Sequence, residues 1–235
     1  MVPDDPRSLL EHILRNSTLL SRGAESEIRL GLIKGIMVVF KVRTPKSYMH
    51  PKLDSMLRTQ RTIREARIIA HARASGVPAP RLVMVLPSLG LLAIEYVYGH
   101  TLRDLLIQGQ DDAYTLAFEA GAILGRLHKS GIVHGDPTTS NYIVSKRDGR
   151  LILIDYGLSE FSDTLEDRAV DLHLFRRAAE ATHPDISELL VNGFYDGYKS
   201  VLGVEADRVI GRAREIALMG RYVEERRTVW RVDST

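Results

Sequence analysis

The pattern of apolar and polar positions in the first part of the chain is typical of a small antiparallel sheet. Apolar residues alternate with polar or small ones over 28–32, and a run rich in β-branched residues follows over 36–42, with Lys34-Gly35 between them to turn the chain. Two further short strands are predicted over 81–86 and 91–97. Short turns close both pairs of strands, so hairpins are expected.

Helical spacing of apolar residues replaces this alternation in the rest of the chain. The clearest case is one long segment in which Leu116, Ala120 and Leu127 fall on one helix face. Helices are predicted over 52–75, over 111–129 and for most of 166–218, and one more hairpin is predicted over 142–145 with 151–154.

These elements predict an α+β fold class with two lobes. Residues 1–97 form a small antiparallel β lobe with one main helix, and residues 98–219 form a reduced, mainly helical lobe. Residues 220–235 mix arginines with acids and lack a sustained apolar face, so a mobile C-terminal tail is expected there.

Composition narrows the class of protein. The 235 residues include no cysteine, which excludes disulfide scaffolds, thiolate nucleophiles and cysteine-ligated metals. The longest charge-free apolar segment, 82–94, falls short of the roughly 20 residues that span a bilayer, and the N-terminus has no signal-peptide pattern. A cytoplasmic protein without a membrane segment is expected.

Net charge is only +2, but the basic residues are unevenly distributed. Between Lys41 and Arg81 there are ten lysines and arginines against two acids. Within this segment Arg58, Arg61, Arg64 and Arg67 recur every three positions, which makes a stripe on the predicted helix that could meet phosphates. A solvated helix face explains the same spacing.

The strongest chemical signal is the run from His134-Gly135-Asp136 to Asn141, followed after one hairpin by Asp155-Tyr156-Gly157. The spacing from Asp136 to Asn141 resembles that of the protein-kinase catalytic loop, and Asp155 resembles the kinase metal-binding aspartate. Phosphoryl transfer needs a carboxylate to orient the attacking hydroxyl and hard oxygen ligands to hold Mg²⁺ on the phosphates. Asp136 is therefore the candidate base, with Asn141 and Asp155 as candidate metal ligands.

Each motif alone also fits a turn or a capping site, but together and in this order they favour the kinase interpretation. Lys41, near the end of its predicted strand, then matches the lysine that holds the nucleotide phosphates, and Glu65 in the next helix is its expected partner. An ordinary solvated lysine, and a local helix pair of Glu65 with Arg61 or Arg64, are the alternative interpretations.

Two further segments are candidates for contact with ATP. The stretch Gly23-Ala24-Glu25 precedes the first hairpin, where kinases carry a phosphate-covering loop, although it holds only one glycine. Glu95 and Val97 end the last predicted strand, where kinases present backbone groups to adenine. A simple strand end explains this last segment equally well.

The segment after Asp155 is short. Residues 158–166 alone separate Gly157 from the next predicted helix, and no Ala-Pro-Glu sequence follows. A docking platform for peptide substrates is therefore not expected. Asp171 in that helix matches the buried aspartate that braces the catalytic loop in kinase folds.

The chain resembles one family most closely, the small atypical kinase or ATPase subunit of the archaeal KEOPS (EKC) complex, also called PRPK. The resemblance covers residues 20 to 185 and rests on these stretches: Gly23-Ala24-Glu25, Arg43-Thr44-Pro45-Lys46-Ser47-Tyr48, Glu65-Ala66-Arg67, His134-Gly135-Asp136, Thr138-Thr139-Ser140-Asn141 and Thr182-His183-Pro184. Pro137 and Tyr156 depart from the kinase pattern without removing a ligand oxygen.

The resemblance implies an ATP- and Mg²⁺-dependent serine/threonine kinase or ATPase. It also implies two partners: a larger KEOPS subunit that transfers threonylcarbamoyl to adenosine 37 of tRNA, and a small KEOPS subunit on the N-terminal lobe. The basic residues of helix 58–73 and of the C-terminal tail make tRNA a further candidate partner. Two alternatives stay open at this stage, a catalytically weak scaffold of the same complex and a small-molecule phosphotransferase with the same histidine-glycine-aspartate pattern.

Overall fold

The computed structural model describes residues 6–109 and 112–232, with side chains described for 8–109 and 112–219. The chain divides into two compact units. The N-terminal unit runs up to Ala74 and also includes Ala79–Tyr98, whereas the C-terminal unit contains Ser75–Pro78 and the chain from Gly99 onward.

The N-terminal unit is a five-stranded antiparallel sheet with two helices. The hairpins and the long helix predicted from the sequence are confirmed, whereas the first helix and the first strand were not predicted. The elements are α1 (Pro6–Arg15), β1 (Thr18–Arg22), β2 (Ser26–Ile33), β3 (Ile36–Arg43), α2 (Pro51–Ala74), β4 (Leu82–Leu86) and β5 (Leu91–Glu95), and the strand order is β1-β2-β3-β5-β4.

Strand β3 has two chemically different faces, because successive side chains of a strand point to opposite sides. Val38, Phe40 and Val42 are buried in an apolar core to which α1 contributes Ile13. Lys41 and Arg43 occupy intervening positions, so their side chains lie on the opposite face. The alternation that makes the strand amphipathic therefore also presents its basic residues side by side.

The C-terminal unit is mainly helical and carries two small antiparallel sheets. The elements are β6 (Gly99–Thr101), α3 (Leu102–Gln108), α4 (Ala113–Lys129), β7 (Ile132–Val133), β8 (Tyr142–Ser145), β9 (Leu151–Leu153), β10 (Glu160–Phe161), α5 (Leu165–Thr182), α6 (Ser187–Leu202) and α7 (Val204–Val232). The strand orders of the two sheets are β6-β8-β9 and β7-β10. The hairpin of β8 with β9 confirms the sequence prediction, as do the long helices. With the N-terminal sheet, this arrangement confirms the α+β fold class.

The last helix extends beyond the expected start of the tail. Residues 220–232 continue α7, which fits their content of helix-favouring arginine and glutamate. The side chains of 220–232 and the residues 233–235 lie outside the described part of the chain, so the predicted mobility of 220–235 remains a prediction. No helix within the described residues is long and apolar enough to cross a bilayer.

Helices α4 and α6 approach each other closely because each presents glycines to the other's backbone. A Cβ atom on Gly121 would overlap the carbonyl oxygen of Phe194, and one on Gly197 would overlap the carbonyl oxygen of Phe118. Close contact of backbones increases the packing density of the helix pair. This contact fixes α4, which leads into the loop that carries the candidate base.

Replacing one of these glycines is expected to destabilise the C-terminal unit. Gly197→Ala inserts a methyl group against backbone, and overpacking of this kind costs about 2 kcal/mol, which lowers the melting temperature by about 5 °C. Gly211→Ala is the matched control, since a Cβ there meets no atom within 4 Å and α7 gains a better helix former. Equal melting temperatures for the two variants would contradict the packing role assigned to Gly197.

Candidate active site

One buried carboxylate holds the backbone at the start of the loop 134–141. Asp171 of α5 is 1% exposed, and its two oxygens accept the backbone N–H groups of His134 at 2.6 Å and Gly135 at 2.7 Å. Ser159 adds a hydrogen bond from its Oγ to the His134 carbonyl at 2.9 Å. The predicted bracing role of Asp171 is therefore confirmed.

Asp171 is itself held by residues that the sequence analysis did not single out. His128 of α4 contacts Asp171 Oδ2 through Nε2 at 3.0 Å and Tyr198 of α6 through Nδ1 at 2.8 Å. Because a carboxylate oxygen only accepts, Nε2 of His128 carries the proton and Nδ1 accepts from the Tyr198 hydroxyl. A histidine at helical spacing among apolar residues gives no sequence signal of this role.

Burial controls the protonation of the histidines at this site. Burial lowers the pKa of His128 and that of His134, and in both it outweighs the opposite effect of Asp171. His134 is satisfied as a neutral ring: its Nε2 donates to the Ile154 carbonyl at 3.1 Å, and its Nδ1 accepts from the Asp136 N–H at 3.3 Å. Protonation of His134 would place an Nδ1–H donor against the Asp136 N–H.

Gly135 is required by the shape of the loop. Its φ is +82°, a left-handed conformation, and a Cβ there would lie 2.7 Å from the Leu158 carbonyl oxygen. Only glycine meets both conditions without displacing the segment after Asp155. The glycine of the motif therefore lets these two stretches of chain pack together.

Asp136 and Asn141 are joined directly. The Nδ2 of Asn141 donates to Asp136 Oδ2 at 2.9 Å and to the Asp136 carbonyl at 2.8 Å. These bonds fix both side chains at the ends of one turn. They leave the Oδ1 of Asn141 available as a metal ligand. The five-residue spacing found in the sequence thus corresponds to a closed loop.

Asp155 follows the β8–β9 hairpin in a strained backbone conformation. Its φ of 59° and ψ of 76° are left-handed, and its Oδ1 accepts from the Gly157 N–H at 3.2 Å. The preceding Ile154 donates its N–H to the Asn141 carbonyl at 2.8 Å. Backbone hydrogen bonds therefore tie the Asp155 segment to the loop that carries Asp136 and Asn141.

The donor set of this region fits Mg²⁺. Asp155 offers a carboxylate and Asn141 an amide oxygen, which are hard ligands of the kind that magnesium prefers, and protein magnesium sites commonly use one or two such groups plus substrate phosphates. Among the described residues no cluster of three or more His, Cys, Asp or Glu side chains could hold a metal alone. A protein donor set of two groups leaves the other Mg²⁺ positions to phosphate oxygens and water.

In the N-terminal unit, Lys41 and Glu65 form the predicted pair. The Nζ of Lys41 lies 2.9 Å from Glu65 Oε1, and both side chains are nearly buried. The alternative pairing with Arg61 or Arg64 is not what holds Glu65. The second oxygen of Glu65, Oε2, contacts Arg43 instead. The meeting of Lys41 with Asp136, Asn141 and Asp155 remains a prediction.

The segment Gly23-Ala24-Glu25 joins β1 to β2 and is already engaged in contacts. The Gly23 N–H donates to the Ser26 carbonyl at 2.9 Å, the Ala24 carbonyl accepts from Lys46, and Glu25 forms an ion pair with Arg61 at 2.5 Å. In this conformation Gly23 does not offer its N–H to a phosphate. A Cβ on Gly23 would meet only the Ser26 oxygen, at 3.7 Å, so the packing of the unit does not require glycine there.

Glu95 and Val97 lie at and after the end of β5. Arg81 contacts both carboxylate oxygens of Glu95 at 3.1 Å. Burial raises the pKa of Glu95, but the hydrogen bonds from Arg81 outweigh burial and hold the pKa below its ordinary value. The Glu95 N–H donates to the Arg81 carbonyl at 2.8 Å. Among the described residues no hydrogen bond uses the N–H of Val97, so the adenine contact remains a prediction resting on that group and the Glu95 carbonyl.

Comparison with known proteins shows the family of the chain. A family model described as the ABC1 atypical kinase-like domain matches residues 34–189. The chain is 40% identical over 214 residues to the KEOPS complex subunit Bud32 of Pyrococcus abyssi, an alignment that covers 88% of this chain and 96% of that protein. The chain belongs to the Bud32 family of atypical kinase-like proteins.

Other relatives of the Bud32 family carry the same domain within a longer protein. The probable bifunctional tRNA threonylcarbamoyladenosine biosynthesis protein of Methanothermobacter thermautotrophicus is 37% identical over 206 residues, covering 88% of this chain but only 37% of that protein. The chain therefore spans little more than a third of the length of such bifunctional relatives.

Two solved structures share the fold. WaaP, solved in complex with acyl carrier protein, has a TM-score of 0.59 at 15% identity and covers 94% of this chain and 92% of its own. The Rio2 kinase of Chaetomium thermophilum, solved as a complex with ADP, Mg²⁺ and phosphoaspartate, has a TM-score of 0.57 at 16% identity and covers 90% and 75%. Together with the family model they confirm the kinase-like fold.

The buried neutral histidines predict a pH-dependent stability. Unfolding restores the ordinary pKa of His128 and His134, about 6.5, so the unfolded chain binds more protons below that pH and the free energy of unfolding falls as the pH drops. Urea unfolding followed by circular dichroism between pH 8 and pH 5 should show little change above pH 7. Below about pH 6.5 the loss should approach about 1.4 kcal/mol per pH unit for each histidine. A free energy of unfolding that stays flat or rises on acidification would contradict the assigned protonation.

Proposed function

We propose that this chain is an ATP- and Mg²⁺-dependent serine/threonine kinase or ATPase that acts as a KEOPS subunit in threonylcarbamoyl modification of adenosine 37 of tRNA. The observation that carries the catalytic part is the loop in which Asp136 and Asn141 are hydrogen-bonded to each other on a backbone fixed by Asp171. Membership of the Bud32 family supports the cellular role, because the similar Pyrococcus protein is named as a KEOPS subunit.

Each candidate residue has one task in this proposal. Asp136 orients the attacking hydroxyl, from water or from a serine or threonine, and takes its proton. Lys41, steadied by Glu65, binds the nucleotide phosphates, and Asn141 with Asp155 holds Mg²⁺. When bound, Mg²⁺ neutralises the negative charge that the phosphoryl group carries during transfer.

The remaining nucleotide contacts are assigned to backbone groups. The β1–β2 loop is proposed to cover the phosphates through the Ala24 N–H, since the Gly23 N–H is used within the hairpin, while Glu25 holds the loop to α2 through Arg61. Gly23 then serves by allowing close approach rather than by donating. Adenine is assigned to the Glu95 carbonyl and the Val97 N–H.

Loss of either acidic group is expected to abolish turnover without unfolding the chain. Asp136→Asn removes the base and Asp155→Asn removes a charged metal ligand, so each should lower Mg²⁺-dependent release of phosphate from ATP by at least about 100-fold. Asp185→Asn, an exposed aspartate in the turn before α6, is the matched control and should leave turnover unchanged. Melting temperatures close to that of the unmodified chain establish that both variants fold.

The assay is best run with the purified chain alone, with the larger threonylcarbamoyl-transferase subunit of KEOPS, and with that subunit plus tRNA. Turnover that increases only in the complex supports an ATPase that acts inside KEOPS. Undiminished turnover in both Asp136→Asn and Asp155→Asn would reject the catalytic assignment, and no turnover under any condition would favour the scaffold interpretation.

The proposed contact between α2 and tRNA involves fewer arginines than the four of the stripe. Arg58 pairs with Asp54 at 2.8 Å, and Arg61 pairs with Glu25 at 2.5 Å, so two of the four stripe residues are held by neighbouring acids. Arg67 is exposed farther along the same helix. We assign the tRNA contact of this helix to Arg67 and its surroundings.

Arg67→Gln should weaken binding of tRNA to the assembled complex and reduce the slope of log affinity against log salt by about one. The measurement is a filter-binding or fluorescence titration at several salt concentrations. Arg15→Gln on α1 is the control, because that side chain is 80% exposed in the same unit but lies off the stripe. An unchanged slope for Arg67→Gln would exclude a phosphate contact at this position.

A further inference from the structure

Glu65 is shared by two cations from one strand. Lys41 and Arg43 are two positions apart on β3 and therefore point to the same side of the sheet. Lys41 Nζ lies 2.9 Å from Glu65 Oε1, and Arg43 Nη2 lies 2.5 Å from Glu65 Oε2. The exposed fractions of the Lys41, Glu65 and Arg43 side chains are only 11%, 3% and 5%.

Arg43 is the more rigidly held of the two cations. Its Nη1 reaches Thr62 Oγ1 at 3.4 Å, and its backbone N–H donates to the Gly90 carbonyl at 2.9 Å. The planar guanidinium presents its donors in a fixed fork, whereas a lysine ammonium is a point charge on a flexible stem. Arg43 therefore fixes the position of the Glu65 carboxylate, and Lys41 contacts a carboxylate that is already in place.

This difference matters when Lys41 binds a phosphate. A kinase lysine binds the nucleotide phosphates while its ion pair with the helix glutamate stays in place. With Arg43 on Oε2, the Glu65 carboxylate keeps its orientation, and Oε1 continues to face Lys41. The arrangement allows Lys41 to gain a second anionic partner without losing the first.

We propose that Arg43 is a positioning residue of the nucleotide site: it holds Glu65 in place so that Glu65 keeps Lys41 directed toward a nucleotide phosphate. The proposal rests on the role of Lys41 in phosphate binding proposed above. Arg43 touches neither substrate nor reacting atoms in this account and acts through Glu65.

The first test separates positioning from general stability. Arg43→Met keeps the apolar stem and removes the fork, so the KM for ATP should rise by about tenfold with a smaller change in kcat, and Arg43→Lys should restore part of the loss. Arg29→Met is the matched control, because Arg29 is a similarly buried guanidinium of the same unit that pairs with Glu27 instead. It should lower the melting temperature without changing the KM for ATP.

A double-mutant cycle decides whether Arg43 acts through Glu65. In the Glu65→Gln background, Arg43→Met should change the KM by less than about twofold, because the group that Arg43 holds is already altered. The same tenfold change in both backgrounds, or the same change in KM for Arg29→Met as for Arg43→Met, would overturn the proposal.

A measurement without nucleotide distinguishes failure of this proposal from failure of the proposed function. Arg43→Met removes a neighbouring cation and leaves Lys41 as the one cation paired with Glu65, which favours the charged ammonium of Lys41. Acetylation of Lys41 by acetic anhydride should therefore slow several-fold relative to that of exposed Lys34, as measured by mass spectrometry. An unchanged or faster relative rate rejects the coupling among Arg43, Glu65 and Lys41. If the unmodified chain shows no binding of Mg²⁺-ATP, the role of Lys41 fails, while the labelling rates still decide the coupling.

Discussion

The carboxylate of Asp171 is the constraint on which the candidate active site depends. Two adjacent backbone N–H groups of the loop 134–141 point into the interior, where each would be costly without an acceptor. Asp171 supplies both acceptors, and its own position is set by His128 and, through it, Tyr198. The loop is thereby fixed by three helices of the C-terminal unit, and Asp136 is presented from a rigid backbone.

The N-terminal unit also contains a buried carboxylate that positions other groups, but its partners are cations. Glu65, like Asp171, is a buried carboxylate whose two oxygens bind different groups, in this case Lys41 and Arg43. A buried carboxylate is tolerable only when its lone pairs are satisfied, and doing so with several donors also fixes its orientation. Each unit thus uses one buried acid to position one element of the candidate site, a loop in the first case and a lysine in the second.

The sequence predicted those elements whose pattern is local. The β2–β3 hairpin, the long helix α2 and the β8–β9 hairpin follow from alternation, helical spacing and turn residues, and the loop and metal motifs follow from spacing. Strand β1 was missed because it is exposed along its whole length and so lacks the alternation that marks a half-buried strand. Helix α1 was missed although Leu9, Leu10, Ile13 and Leu14 recur at helical spacing.

The supporting contacts could not be predicted because they join residues distant in sequence. Arg43 and Glu65 are 22 positions apart, and His128 and Tyr198 are 70 apart. In sequence, His128 is one polar position on an apolar helix and Arg43 one of many basic residues. Their roles depend on which partner the tertiary fold brings near, and the local pattern contains no information about that.

The backbone at Asp155 is an independent reason to assign it a chemical role. A non-glycine residue in the left-handed region costs on the order of 1–3 kcal/mol and persists where the surroundings determine it. Glycine would relieve this strain and would still allow the hydrogen bond from Ile154 to Asn141, because that bond involves only backbone atoms. What glycine would remove is the carboxylate. A strained position that keeps an aspartate, immediately after a segment tied to Asn141, supports the proposed role of that carboxylate in binding a hard cation.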